Sequence, residues 1–234
     1  MKTLGILGGV GPQTTADIYL SVIRNLKDIG EDTYPPILIY NLPFPYSVEY
    51  DAIVKGENSE KMIPYLVEGA KILEKGGADF GILPCNTLHK YINSIREAVQ
   101  IPFLSIIEEV VTVIKEMKVK KVGILASQTA NDSKIYERPL QQIGVEAVYP
   151  SLSEQTAINQ IIIELLGGGA VPHHMDQLKM VCDGLQMRGA QVLLFACTDL
   201  QMLIPTMAGY LPIIDTTTLL ISASIREMIK LDHS

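Results

Sequence analysis

Two cysteines of this chain follow apolar runs and precede polar residues that can begin a helix. Cys85 comes before Asn86 and Thr87, and Cys197 comes before Thr198. Each stretch predicts a strand, then the cysteine, then a helix N-terminus. Such a terminus offers unpaired N–H groups and positive potential, which lower the pKa of a thiol and favour the thiolate. The residue types and their spacing therefore predict two basic or nucleophilic thiols.

Core packing is the alternative interpretation for each cysteine, because a free cysteine is among the most commonly buried residues. We assign that role to the third cysteine, Cys182, which lies on the apolar stripe of a predicted helix. Cys85 and Cys197 occupy equivalent places in two repeated segments, which favours the chemical interpretation for them. Two thiols on opposite faces of a small molecule suit stereoinversion at carbon, in which one group removes a proton and the other returns one from behind.

The elements that must position these cysteines are short strands that alternate with helices. Runs rich in Ile, Val and Leu predict strands at 4–7, 37–40, 80–83, 103–106, 122–126, 192–196 and 212–214. Between them the apolar residues recur with a helical period of about 3.6 residues. Strands as apolar as these are typical of parallel sheets covered by helices on both faces. The predicted fold class is therefore α/β with mostly parallel sheets, which bind ligands beyond the carboxyl ends of their strands.

Three internal similarities predict that the chain consists of two similar α/β halves. The paired segments are 4–8 and 122–126, 77–78 and 189–190, and 101–104 and 211–214. They occur in the same order and at nearly the same offset, as expected for a duplication. We predict one half at 1–100 together with a C-terminal helix at 217–234, and a second half at 101–216. A pseudo-twofold axis between the halves would set the two cysteines on either side of one cleft.

The composition excludes several classes of protein. Hydrophobic residues make up 47% of the chain and charged residues 19%, unlike a disordered chain. The formal net charge of −7 argues against a nucleic-acid partner. Three dispersed cysteines match neither a disulfide framework nor a zinc-ligand spacing, and no apolar stretch is long enough for a membrane span. We expect a cytoplasmic protein that acts on a small molecule.

Four motifs resemble the cofactor-independent aspartate/glutamate racemase family, in order and over essentially the whole chain. They are Gly-Gly-Val-Gly-Pro at 8–12, Pro-Cys-Asn-Thr-Leu-His at 84–89, Ala-Cys-Thr-Asp-Leu at 196–200 and Asp-Thr-Thr at 215–217. The resemblance implies an amino-acid racemase in which Cys85 and Cys197 are the two acid/base residues. It implies that the substrate α-carboxylate is held by Asn86, Thr87, Ser127 and Thr198. It also implies a homodimer that uses neither pyridoxal phosphate nor a metal.

The sequence departs from this family in the residues expected to bind a distal carboxylate. Aspartate-specific members have an arginine in the loop after the second strand, whereas the loop at 41–49 contains none. A lysine expected near 165–167 is also absent. A second substrate carboxylate favours a cationic partner, preferably a bidentate arginine. Aspartate, followed by glutamate, is the predicted substrate, and the recognition of its side chain is left open.

Two other functions remain alternatives. One is an isomerase or decarboxylase of small dicarboxylic acids on the same fold, and the other is a non-catalytic protein that binds an amino acid. A nucleotide site is disfavoured, because the glycines at 5–11 do not complete the G-x-G-x-x-G pattern. We interpret these glycines as positions where the backbone approaches the cleft.

The remaining predictions concern histidines and methionines. His89 is predicted either to tune the Cys85 site or to face solvent near a helix N-terminus. The adjacent His173 and His174 are predicted at the start of a surface helix, where their directions differ by about 100° and suit one metal ion poorly. Three methionines are predicted to fill the core: Met175, Met180 and Met187.

Overall fold

The computed structural model describes residues 1–166, 175–207 and 209–230, and these form two four-stranded parallel sheets. The first contains β1 (Leu4–Gly8), β2 (Ile37–Asn41), β3 (Phe80–Ile82) and β4 (Phe103–Leu104), in the spatial order β2-β1-β3-β4. The second contains β5 (Lys121–Ala126), β6 (Glu146–Val148), β7 (Val192–Ala196) and β8 (Ile213–Asp215), in the equivalent order β6-β5-β7-β8. The predicted α/β class with two similar halves is thereby confirmed.

Helices flank both sheets. In chain order they are α1 (Pro12–Asp28), α2 (Tyr46–Glu49), α3 (Ile63–Lys75), α4 (Ile92–Arg96), α5 (Ile106–Met117), α6 (Gln128–Asp132), α7 (Glu137–Gln142), α8 (Leu152–Leu166), α9 (Met175–Met187) and α10 (Thr216–Ile229). The described residues also contain a π-helix, Tyr50–Lys55, and the 3-10 helices Ser59–Met62, Thr87–Tyr91 and Asp199–Thr206. Within the described ranges, no helix is both long enough and apolar enough to span a lipid bilayer. The predictions for His173 and His174 lie outside these ranges.

The central strands of each sheet are buried on both faces, which explains their nearly continuous apolar sequences. Every residue of β1 and of β7 is buried, and so is every residue of β3. Gly81 in β3 is required by close packing, because a side chain there would collide with the ring of Phe103 from β4. The strands that lead to Cys85 and Cys197 therefore lie in the middle of packed layers.

Helix α10 follows the last strand of the second sheet and packs against helices from both parts of the chain. It contacts α1 and α5. The backbone N–H of Lys2 donates to the Met228 carbonyl at 2.9 Å. The ammonium group of Lys2 also forms an ion pair with Glu227 at 2.9 Å. The assignment of this helix to the first half, and the division of the chain at residue 100, stay predictions.

Helix α9 confirms one prediction and corrects another. Cys182 is fully buried, as predicted for a core cysteine. Met180 and Met187 are 71% and 89% exposed, so the prediction that they fill the core was wrong. Met180 lies two positions from Cys182, and two residues turn a helix by about 200°, which places it on the opposite face. Met175, at the start of the helix, is half-buried.

Candidate active site

A cleft of about 630 Å³ lies at the carboxyl ends of the central strands of both sheets. Its walls include residues 10–12 after β1, 85–87 after β3, 127–128 after β5 and 196–199 at the end of β7. Parallel sheets bind ligands at this position. The structure therefore brings Cys85 and Cys197, more than a hundred residues apart in the sequence, to one cavity.

Cys85 lies in a tight turn between β3 and the 3-10 helix Thr87–Tyr91. Its side chain is 8% exposed. Burial raises the pKa of the Cys85 thiol to about 12, and the N–H groups of Leu88 and Thr87, which donate to the sulphur, oppose that shift. The negative charge of Asp199 is a smaller cause that raises the pKa of Cys85 further. The turn thus directs two donors at a sulphur atom that is largely shielded from water.

Cys197 repeats this turn in the second half. It follows β7 directly and precedes the 3-10 helix Asp199–Thr206. Burial, and then the charge of Asp199, raises the pKa of the Cys197 thiol well above its usual value, while the N–H groups of Asp199 and Leu200 donate to the sulphur and oppose the shift. The thiol itself donates to Asp199 Oδ2 at 3.6 Å. Burial also raises the pKa of the Asp199 carboxyl, against the effect of this hydrogen bond.

The predicted lowering of the two thiol pKa values was wrong. The N–H donors are present at the predicted places, two and three residues after each cysteine. Each cysteine precedes a 3-10 helix. The loss of hydration raises each thiol pKa more than the two N–H donors lower it.

Five buried polar side chains are hydrogen-bonded to one another in pairs next to the cleft, and we call this group the floor: Asn86, Thr87, Ser127, Tyr136 and Thr216. Three of them, Asn86, Thr87 and Ser127, line the cleft. The Tyr136 hydroxyl donates to Asn86 Oδ1, and Asn86 Nδ2 donates to Thr216 Oγ1 at 3.0 Å. The hydroxyl oxygens of Thr87 and Ser127 are hydrogen-bonded at 3.0 Å. Each bond joins the segment after β3 to a segment of the second sheet or its helices, so the floor links the two halves of the protein.

The four residues predicted to hold an α-carboxylate all line the cleft: Asn86, Thr87, Ser127 and Thr198. Asn86 Nδ2 has two hydrogens, and its bond to Thr216 uses one of them, so the other can be directed at a ligand. The Ser127 hydroxyl also accepts from the N–H of Ala130 at 3.2 Å, which caps α6. The Thr198 hydroxyl makes no capping bond to the helix that follows it.

The His89 side chain holds the backbone of the Cys85 turn in place through hydrogen bonds. Its Nε2 accepts from the N–H of Ile106 at 3.0 Å, so its Nδ1 must bear the proton that it donates to the Cys85 carbonyl at 2.7 Å. The side chain is only 1% exposed, and burial lowers its pKa to about 4. The prediction that His89 faces solvent was wrong, since its two ring nitrogens satisfy backbone groups inside the protein.

The glycine-rich segment after β1 lines the cleft beside Glu49. Gly11, with a φ of 73°, begins α1 in the left-handed region that glycine adopts readily. Its N–H donates to the carboxylate of Glu49, a residue of α2. Burial raises the pKa of Glu49, and this hydrogen bond opposes the shift. The close approach of this backbone to the cleft agrees with the interpretation of the glycines.

Sequence reasoning missed three residues at this site: Tyr136, Glu49 and Asp199. Tyr136 has no signal in the sequence, because its contact with Asn86 joins positions 50 residues apart in different elements. Glu49 and Asp199 stand in segments that the motif analysis already covers. Each is an acidic residue in or beside a segment that the sequence predicts to form the cleft. That position could have identified both of them.

Comparisons with known proteins place this arrangement in a family. The model of the Asp/Glu/hydantoin racemase family matches residues 7–223. The chain belongs to the Asp/Glu/hydantoin racemase family. The broad specificity amino-acid racemase RacX of Bacillus subtilis (strain 168) is 31% identical over 229 residues, which cover 95% of this chain and 96% of that protein. Racemases are isomerases, so the predicted enzyme class and the resemblance found in the motifs are both confirmed.

Solved structures of other proteins share this fold. The structure of an aspartate racemase homologue from Pyrococcus horikoshii OT3 is similar with a TM-score of 0.82 at 25% identity, covering 98% of this chain and 100% of that one. The aspartate racemase of Picrophilus torridus is similar in fold with a TM-score of 0.80 at 24% identity, covering 97% of this chain and 94% of that one.

Proposed function

We propose that this member of the family racemises a free amino acid, with Cys85 and Cys197 as two opposed acid/base groups. The observation that supports the proposal most strongly is the pair of equivalent turns at one cavity. In each turn a cysteine sulphur receives the N–H groups of the second and third residues that follow. Donors in this position stabilise a thiolate, and nothing in simple core packing requires them twice at the same spacing.

The proposed reaction moves one proton on each face of the substrate. One thiolate takes the α-hydrogen as a proton, and the bonding electrons remain on the substrate as a carbanion conjugated with the carboxylate. The opposite thiol then donates its proton to the other face of the α-carbon and becomes the thiolate. The two cysteines exchange roles for the reverse reaction, so the protein gains and loses no net proton over a cycle.

The buried donors at the floor suit the charge that develops in this reaction. As the α-proton leaves, negative charge moves onto the substrate carboxylate, and donors fixed in a poorly hydrated site stabilise that charge most effectively. We assign this role to the Asn86 amide, to the hydroxyls of Thr87 and Ser127, and to Thr198.

The family resemblance predicts aspartate or glutamate as the substrate, but no lysine or arginine stands among the described residues that line the cleft. The homodimer and the cytoplasmic location stay predictions within this proposal. Light scattering coupled to gel filtration tests the dimer, and fractionation of the source cells tests the location.

Substituting either proposed acid/base cysteine tests the mechanism. We expect Cys85→Ala and Cys197→Ala each to reduce racemisation by about 10²–10⁴-fold, since each removes one proton-transfer group. The measurement is circular dichroism of single L- and D-amino acids in D₂O, combined with mass spectrometry of deuterium at the α-carbon. The matched control is Cys182→Ala, which changes a buried cysteine on α9 outside the cleft.

The outcomes of this assay separate the alternatives. Racemisation by either single variant at near the wild-type rate would refute the two-thiol mechanism. Binding of amino acids by the wild-type protein without deuterium exchange would indicate a binding protein. Release of CO₂ or migration of a double bond in dicarboxylic acids would indicate the isomerase or decarboxylase alternative.

A further inference from the structure

The proposed active site contains two carboxylates, and no lysine or arginine stands among the described residues that line it. Glu49 and Asp199 both face the cavity. They influence each other, since the charge of Asp199 is one of the causes that raise the pKa of Glu49, after burial. Both negative charges also raise the pKa of the Cys85 thiol. The cleft therefore has an excess of negative charge that a ligand can balance.

The α-carboxylate and α-ammonium groups of a bound amino acid balance only part of this negative charge. In the proposed function its α-carboxylate is held by the neutral donors of the floor. Its α-ammonium group can be balanced by one carboxylate. Asp199 is the better placed of the two, because its Oδ2 lies 3.6 Å from the sulphur of Cys197, which must approach the α-carbon.

Glu49 is then available to bind the side chain of the amino acid, at the end furthest from the α-carbon. It lies at the end of α2, and its carboxylate is held by the N–H of Gly11. Tyr46 and Tyr50, from the same stretch of chain, line the cleft near it. Ile162 of α8 supplies an apolar part of the wall. A flexible aliphatic chain that ends in a cation can pack along such a wall and place its charge at a carboxylate.

We propose that Glu49 selects amino acids with a positively charged side chain, such as lysine, ornithine or arginine. This inference rests on the proposed racemase function and specifies its substrate class. A dicarboxylic amino acid would bring a second negative charge to a cleft that already contains two carboxylates, and the described residues offer that charge no cationic partner. A basic amino acid would bring two positive charges to two carboxylates.

The test compares three amino acids as substrates: L-lysine, L-methionine and L-glutamate. Methionine is a neutral control of similar length to lysine. We expect kcat/KM of the wild-type protein to be at least about tenfold higher for lysine than for glutamate, because like charges are disfavoured and charge-assisted bonds are strong. We expect Glu49→Gln to reduce the lysine-to-methionine ratio of kcat/KM by about 10–100-fold.

Two further variants strengthen the test. Glu49→Lys should reverse the order of lysine and glutamate, since it puts a cation where the proposal requires an anion. Glu57→Gln is the matched control, because it removes an exposed acidic residue outside the cleft lining and should leave all three kcat/KM values unchanged.

The results distinguish a failure of this inference from a failure of the proposed function. A wild-type protein that racemises glutamate faster than lysine would overturn the inference and leave the racemase function intact. An unchanged lysine-to-methionine ratio in both Glu49 variants would overturn it as well. If no amino acid were racemised or exchanged its α-hydrogen, the proposed function itself would be wrong.

Discussion

The turns at Cys85 and Cys197 have the same arrangement around sulphur and different surroundings. In both, the second and third residues after the cysteine donate their N–H groups to the sulphur. Cys197 has an adjacent carboxylate that accepts a hydrogen bond from its thiol, whereas the charges near Cys85 are smaller causes of its raised pKa. The Cys85 carbonyl is held by the His89 side chain, whereas the Cys197 carbonyl is held by the backbone N–H of Leu200 at 3.2 Å.

This comparison indicates that the equivalent turns provide the same donors to both sulphurs and that the neighbouring residues make the two thiols unequal. A carboxylate next to a thiol disfavours the thiolate through like-charge repulsion. We therefore expect Cys85 to be deprotonated more readily than Cys197 in the free protein. A racemase that works in both directions does not need equal thiols, because each direction begins with the opposite protonation state.

We expect the largest effect on stability from replacing His89, whose side chain holds the Cys85 carbonyl, whereas a backbone N–H holds the Cys197 carbonyl. His89→Gln removes a ring whose two nitrogens satisfy the Cys85 carbonyl and the Ile106 N–H. We expect the free energy of unfolding at pH 7 to fall by about 1–3 kcal/mol, because at least one buried backbone group loses its partner. Chemical denaturation followed by circular dichroism measures this change.

The same variant should alter how stability depends on pH. The pKa of His89 is about 4 in the folded protein, below the usual value of 6.5, so between these values only the unfolded chain binds the proton. The wild-type stability should therefore decrease as pH falls through this window, by up to about 1.4 kcal/mol per pH unit from this residue. His89→Gln should show a shallower decrease. An equal slope in both proteins would mean that His89 is not buried as a neutral ring.

The next largest effect is expected from removing the negative charge of Asp199, which accepts a hydrogen bond from the Cys197 thiol. Asp199→Asn eliminates the nearest negative charge, so the pKa of Cys197 should fall and its thiolate should become more abundant at pH 8. We expect alkylation of Cys197 by iodoacetamide to accelerate about tenfold, which corresponds to a shift of one pKa unit. Peptide mass spectrometry reports the rates of Cys85 and Cys197 separately.

Asp28→Asn, which changes an exposed carboxylate on α1, is the control for this experiment. It should leave both alkylation rates unchanged. The Cys85 rate should change less than the Cys197 rate in Asp199→Asn, because Asp199 is a smaller cause of the Cys85 pKa. Equal changes at both cysteines would refute the proposed difference between the two turns.

The smallest effect concerns the floor beneath the Cys85 turn. Tyr136→Phe removes the hydroxyl that donates to Asn86. We expect a loss of about 0.5–1.5 kcal/mol in the free energy of unfolding. Tyr149→Phe is a matched control, because the buried Tyr149 hydroxyl has no hydrogen-bond partner among the described residues. That control should be neutral or stabilising, and an equal loss in both variants would show that the Tyr136 bond contributes nothing.

The sequence predicted those features of the site that depend on local order along the chain. Cys85 and Cys197 were placed at the carboxyl ends of strands, and the structure puts both in one cleft. The N–H donors after each cysteine were also predicted from the strand-to-helix pattern. These predictions succeed because apolar runs and polar starts of helices are set by neighbouring residues.

Features that depend on contacts between distant elements could not be predicted. His89 is buried because α5 begins beside it, and Tyr136 reaches Asn86 from the other half. The thiol pKa values depend on how much water the assembled cleft excludes, which no local pattern encodes. Two strands also end earlier than the apolar runs predicted, β3 at Ile82 and β4 at Leu104.

The bonds across the floor have a mechanical consequence for the cleft. Thr87–Ser127 and Tyr136–Asn86 join the two residues that follow Cys85 to the second half of the protein. Because both bonds are buried, we expect them to resist separation of the two halves next to Cys85. The spacing of the thiols should then be kept while the exposed side chains of Tyr46 and Tyr50 rearrange to admit a ligand.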